Sequence, residues 1–179
     1  MAERQEHAFE YESRIINENN IVKSEGYTDK WDAFEGDMPV SVKNIKLNSS
    51  VDFGDFRRQT LLNQDFFLYV GFWQGEKSNI VKEYKILIDY QNWIRYFGDT
   101  SITSDMLSEM KLISNDRSDD GKWKEFRKKW NSLYKQSNSN PVITLRFKRD
   151  HQKQKRIQCG ISSNNFKKLI EENQIIWQR

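Results

Sequence analysis

The chain has little of what sulfur and imidazole chemistry needs. Its 179 residues include one cysteine, Cys159, and two histidines, His7 and His151. One cysteine makes no internal disulfide, and these three side chains fall short of a structural Cys/His zinc site. Cys159 is therefore expected to be a packing residue. Ser-His-Asp hydrolases, Cys-His proteases and nucleases with a histidine base each need a well-placed histidine, and neither His7 nor His151 stands in a supporting motif. Catalysis is left to carboxylates, lysine and a hard metal ion. No apolar run approaches the roughly 20 residues that a bilayer crossing needs. The N-terminal MAERQEHAFEYE has no apolar stretch of the signal-peptide kind, so an intracellular location is expected.

What is present suffices for one packed core: 36 % of residues are hydrophobic and 13 % aromatic, in a chain of single-domain length. The whole of 1–179 is expected to fold as one unit. The formal net charge is only +3, but it is unevenly spread. Residues 1–120 carry 14 Lys+Arg against 22 Asp+Glu, whereas residues 121–160 carry 12 against 2. An acidic body with one strongly basic segment, about 120–160, suits a polyanion partner.

Hydrophobic spacing predicts helices over residues 3–16, 52–63, 91–97, 104–113, 122–134 and 165–173. Strands are predicted at 21–22, 27–34, 38–47, 65–73, 80–88, 142–148 and 156–162. In the strand over 38–47, Val40, Val42 and Asn44 lie on one face and Ser41, Lys43, Ile45 and Leu47 on the other. In the helix over 122–134, Trp123, Phe126, Trp130 and Leu133 face inward, leaving Lys124, Arg127, Lys128 and Lys129 on other faces. Intermixed helices and strands predict an α/β (α+β) fold, with a mixed central sheet flanked by helices.

One stretch stands out for its chemistry. Asp32 on one strand and Lys43 on the next, joined by the turn Glu35-Gly36-Asp37, can converge at a sheet end. There a carboxylate can bind a divalent cation and an ammonium can orient water or offset the charge of a pentavalent phosphate. Gly71 to Ser78 superficially has the look of a phosphate-binding loop, but its second glycine is not followed directly by lysine and a strand follows where a helix is needed.

With Glu12 on the first helix, Asp32 opening the hairpin and Ser41-Val42-Lys43 on the next strand, the sequence resembles the PD-(D/E)xK nuclease superfamily, type II restriction endonucleases in particular. The resemblance covers roughly residues 5–75 and implies a catalytic core over about 5–90. It departs from the family at Ser41, where a second carboxylate is usual. The resemblance implies catalytic roles for Asp32, Lys43, Glu12, Asp55 and Ser41, with Asp32, Asp55 and Glu12 as metal ligands. Asp55 is the candidate for the missing acid, and Asp52 is second. The implied cofactor is Mg²⁺, with Mn²⁺ as a substitute. The implied activity is site-specific cleavage of double-stranded DNA by a homodimer, one copy per strand, in a restriction system with a cognate DNA methyltransferase. A junction or repair nuclease and a DNA-binding module without activity are the alternatives. Arg57, Arg58, Lys128, Arg146, Lys148, Arg149, Lys153, Lys155 and Arg156 are candidate phosphate contacts. Gln152, Gln154, Gln158, Asn164 and Asn165 are the polar side chains available for base edges.

Overall fold

The computed structural model describes residues 2–24, 31–114, 120–137, 142–149 and 155–179. The fold is α+β with a mixed central sheet. Helix α1 (Ala2–Glu18) leads into β1 (Val22–Lys23), β2 (Ala33–Glu35), β3 (Met38–Lys46) and β4 (Val51–Asp55). Then come α2 (Phe56–Thr60), β5 (Phe66–Trp73), β6 (Ile80–Ile88), α3 (Tyr90–Arg95), α4 (Thr100–Ser114) and α5 (Asp120–Ser137). The chain ends with β7 (Ile143–Arg149), β8 (Lys155–Ile161), α6 (Ser163–Glu172) and β9 (Gln174–Gln178). No helix among the described residues is long and apolar enough to cross a membrane.

The strands form two sheets. The central one has the order β1-β2-β3-β5-β6-β9, and its one parallel pair is β3 with β5. A three-stranded antiparallel sheet, β4-β8-β7, holds the basic C-terminal hairpin. Both sheets feed the larger core: Leu68, Val70 and Ile86 of the first meet Val51, Ile157 and Cys159 of the second, with Trp93, Phe126 and Trp130 from the helices. Trp93 sits at its centre, edge-on to both Phe53 and Phe66. The opposite face of the central sheet is covered by α1, whose Tyr11 and Ile15 pack with Val40, Val42 and Tyr69. Gly71 makes this approach possible, because a methyl group there would overlap the Tyr11 ring.

Two expectations need correcting. The helix over 52–63 begins later: residues 51–55 are strand β4, and only Phe56–Thr60 is helical. The cause is Gly54 at φ +79°, beside a bulge between Asp52 and Gly54, which lets Val51 and Asp52 pair with β8 while Asp55 caps the short helix. Residues 174–178, for which no element is expected, form the strand β9 paired with β6, and β4-β8-β7 make a second sheet beside the expected mixed central one. The strands over 38–47, 65–73 and 80–88 and the basic hairpin form as expected. Cys159 is fully buried, and burial raises its thiol pKa above the ordinary range. Half of the strand expected over 27–34, residues 27–30, lies outside the described residues.

Candidate nuclease site and basic track

The hairpin turn has Gly36 at its first central position with φ +60°, as a two-residue type II′ turn requires. That turn fixes the register Ala33↔Val40, Phe34↔Pro39, Glu35↔Met38. Pairing continues one residue earlier, where the Asp32 backbone N–H donates to Val40 O at 3.0 Å and Ser24 N–H donates to Asp32 O at 3.2 Å. Asp32 is thus held between two strands. Because side chains alternate along a strand, Ala33 points toward α1, and Asp32 shares the other face with Ser41 and Lys43.

On that face Asp32 Oδ2 accepts three hydrogen bonds: from Val42 N at 2.7 Å, from Ser41 Oγ at 3.3 Å and from Lys43 Nζ at 3.4 Å. The pair is half-buried, with 32 % of the Asp32 side chain and 23 % of the Lys43 side chain exposed. Hydrogen bonds from described residues all fall on Oδ2. Asp32, Ser41 and Lys43 are therefore brought together.

Glu12 and Asp55 are not brought to them. Glu12 lies on α1, on the other side of the sheet, and pairs with Lys23 at 3.1 Å. Asp55 ends β4 in the second sheet and caps α2, accepting from Arg58 N at 3.0 Å. Asp52, the second choice, accepts from Gly54 N and pairs with Arg146 at 3.0 Å. Among the described residues no three His, Cys, Asp or Glu side chains gather in a way that could hold a metal ion. Mg²⁺ commonly manages with one or two carboxylates plus waters and substrate phosphates. Asp32, with one oxygen not engaged by described residues, meets that smaller requirement.

The same hairpin carries a second acid–lysine pair on its α1 face. Glu35 accepts from Lys85 Nζ at 2.6 Å and from the Tyr69 hydroxyl at 2.8 Å. Lys85 lies over the rings of Phe67 and Tyr69. Burial, then the Glu35 hydrogen bond, raises the Tyr69 pKa above the ordinary phenol range. Glu83, also buried, pairs with Arg14 and with Arg179 at the chain end. Neither long-range pairing leaves a local signal in the sequence.

The basic residues gather in three adjoining depressions. The first, about 720 Å³, lies between α2, α4 and β8 and holds Arg57, Arg58, Lys111, Lys155 and Arg156. The second, about 430 Å³, shares Arg156 with it and adds Lys124, Arg127, Lys148 and Arg149. The third, about 630 Å³, shares Lys124 and Arg127 with the second and adds Lys128. Shared walls make them one cationic track, floored in part by Phe147. Arg149 is tied to Asp120 at 2.8 Å, and Arg146 reaches Asp52 across Gly160, where a Cβ would come within 2.5 Å of Val51 O. Asn165 is likewise committed, donating to Val142 O at 3.1 Å. Gln152, Lys153 and Gln154 lie outside the described residues. Lys111 was not foreseen, although Ser104, Ser108 and Lys111 recur at helical spacing on α4 and line the same wall.

Compared with known proteins, the chain matches no family model, and no curated protein or solved structure proved similar to it.

Proposed function

We propose that the chain is a Mg²⁺-dependent endonuclease that cleaves double-stranded DNA at specific sites, acting as a homodimer. The observation that supports it most is the convergence of Asp32, Ser41 and Lys43 on one half-exposed face of the hairpin. Asp32 would hold Mg²⁺, which when bound would supply charge neutralisation and lower the pKa of water. The side chains themselves do the following. Val42 N–H and Ser41 Oγ fix the Asp32 carboxylate by bonding one of its oxygens. Lys43, 3.4 Å away, positions the attacking water or offsets charge on the phosphate. The basic track supplies phosphate contacts, which give affinity without sequence information and make binding fall steeply with salt.

A second reading, a DNA-binding module without hydrolysis, is favoured by one observation: none of the expected carboxylates Glu12, Asp55 and Asp52 joins Asp32, and no three His, Cys, Asp or Glu side chains gather to hold a metal among the described residues. Incubation of a large plasmid with the protein, with and without Mg²⁺, followed by sequencing of fragment ends, separates the two. Discrete ends that appear only with the metal are expected. Binding with no new ends in Mg²⁺ or Mn²⁺ favours the binding module, and cleavage confined to branched or nicked DNA points to a structure-directed nuclease.

A further inference from the structure

The depression between α2, α4 and β8 differs from the rest of the track. At about 720 Å³ it is of the size that encloses a small ligand, far larger than a single phosphate contact needs. Five cationic side chains line it against one carboxylate, Asp55, which is already occupied in capping α2. One of the five, Lys155, is only 4 % exposed. Gln158 and Arg156 also line it, and one buried polar atom of each side chain, Gln158 Oε1 and Arg156 Nε, has no hydrogen-bond partner. Buried polar atoms ordinarily find partners, and a rotation of either side chain toward the cavity would offer its unused bonding capacity to a ligand. Leu107 and Met110 of α4 give the same cavity an apolar strip.

Phosphate-binding cations, an adjacent donor and acceptor, and an apolar strip together match one chemical unit. We propose that this cavity binds a single nucleoside monophosphate unit, its phosphate among Arg57, Arg58 and Lys111 and the polar edge of its base against Gln158 and Arg156. The proposal rests on the nucleic-acid reading above, and it gives the cavity a role that the duplex-tracking part of the groove does not have. The unit comes either from a DNA strand, as an end or an extruded nucleotide, or from a free mononucleotide. Extrusion costs least where the base is unpaired.

The test uses the full chain in chelator, so that hydrolysis plays no part and its absence leaves the pocket's result intact. A fluorescent single-stranded oligodeoxynucleotide is titrated onto the protein, and thymidine monophosphate, thymidine and a blunt duplex serve as competitors. Thymidine monophosphate is expected to displace the strand and thymidine is not. Ser108→Glu places a carboxylate on the cavity wall at an exposed helix position and removes no bond, so it keeps the fold. It and Arg58→Ala should each weaken strand binding about tenfold or more, the scale of a charge-assisted hydrogen bond. A strand that binds more tightly than the monophosphate assigns the pocket to DNA, and the reverse order assigns it to a free nucleotide. Wild-type affinity for both probes in a folded Ser108→Glu protein, or equal displacement by thymidine, overturns the proposal.

Discussion

The β2–β3 hairpin carries two acid–lysine pairs, one on each face, and they differ in what surrounds them. Glu35 and Lys85 are 2.6 Å apart, the lysine side chain is 9 % exposed and two aromatic rings lie against it, and Tyr69 holds the same carboxylate. Asp32 and Lys43 are 3.4 Å apart and both half-buried, and the hydrogen bonds from described residues leave one carboxylate oxygen unengaged. The first pair is closed by packing and secures β2 to β6. The second is held in place yet open to a ligand. Residue type alone does not separate them; the burial of the lysine does, and so does the sharing of bonds, which engage both oxygens of Glu35 but only Oδ2 of Asp32.

The difference can be broken from the closed side first. The largest effect is expected from alkali. On that face burial raises the phenol pKa values of Tyr11 and Tyr69 above their ordinary 10.0, with Glu83 and Glu35 adding to it. A folded-state pKa above the unfolded one means that the stabilisation is whole below pH 10.0 and is lost as pH rises beyond it. Thermal melts between pH 8 and 11, followed with tyrosinate absorbance, should show Tm level at first and then falling, with ionisation only on unfolding. Phenols that titrate near 10 in the native protein would contradict the closed description.

Lys85→Ala comes next. It leaves Glu35 with one partner and opens space between the rings, so a loss of about 2–4 kcal/mol is expected by urea unfolding, below the full cost for a wholly buried pair because Glu35 is 31 % exposed. Lys43→Ala should lose only about 0–1 kcal/mol in the same assay, as a half-exposed pair does. Similar losses for the two variants would erase the distinction. Glu12→Ala should have the smallest effect, within about 0.5 kcal/mol, with cleavage unchanged, because Glu12 pairs with exposed Lys23 and not with the Asp32 group. A large loss of cleavage in Glu12→Ala would restore it to the metal set.

Much of this arrangement was legible in the sequence where order is local. The alternation that put Val42 and Lys43 on opposite faces of β3, the Gly36 turn, and the tryptophan and phenylalanine face of α5 follow from spacing alone. The convergence of Asp32 with Ser41 and Lys43 follows from that register. What was not legible depends on distant pairing. Asp52 reads as the start of a helix until β8 is there to pair with it, and the bulge at Gly54 has no meaning without that partner. For the same reason Asp55 looked available to Asp32 in sequence but is carried into the other sheet. The cavity beside α4 was hidden because its cations come from α2, α4 and β8, three elements far apart along the chain.

In the proposed nuclease the open pair, Asp32 and Lys43, is the reacting one. The most direct measurement compares plasmid cleavage in Mg²⁺ by the wild type, Lys43→Ala and Lys85→Ala, at a temperature where all three are folded, with duplex binding measured alongside. Lys43→Ala is predicted to lose cleavage by about 10³-fold or more while still binding DNA, the scale of removing a group aimed at transition-state charge, and Lys85→Ala is predicted to cut as the wild type does. Undiminished cutting by Lys43→Ala, or its loss in folded Lys85→Ala alone, would contradict the claim.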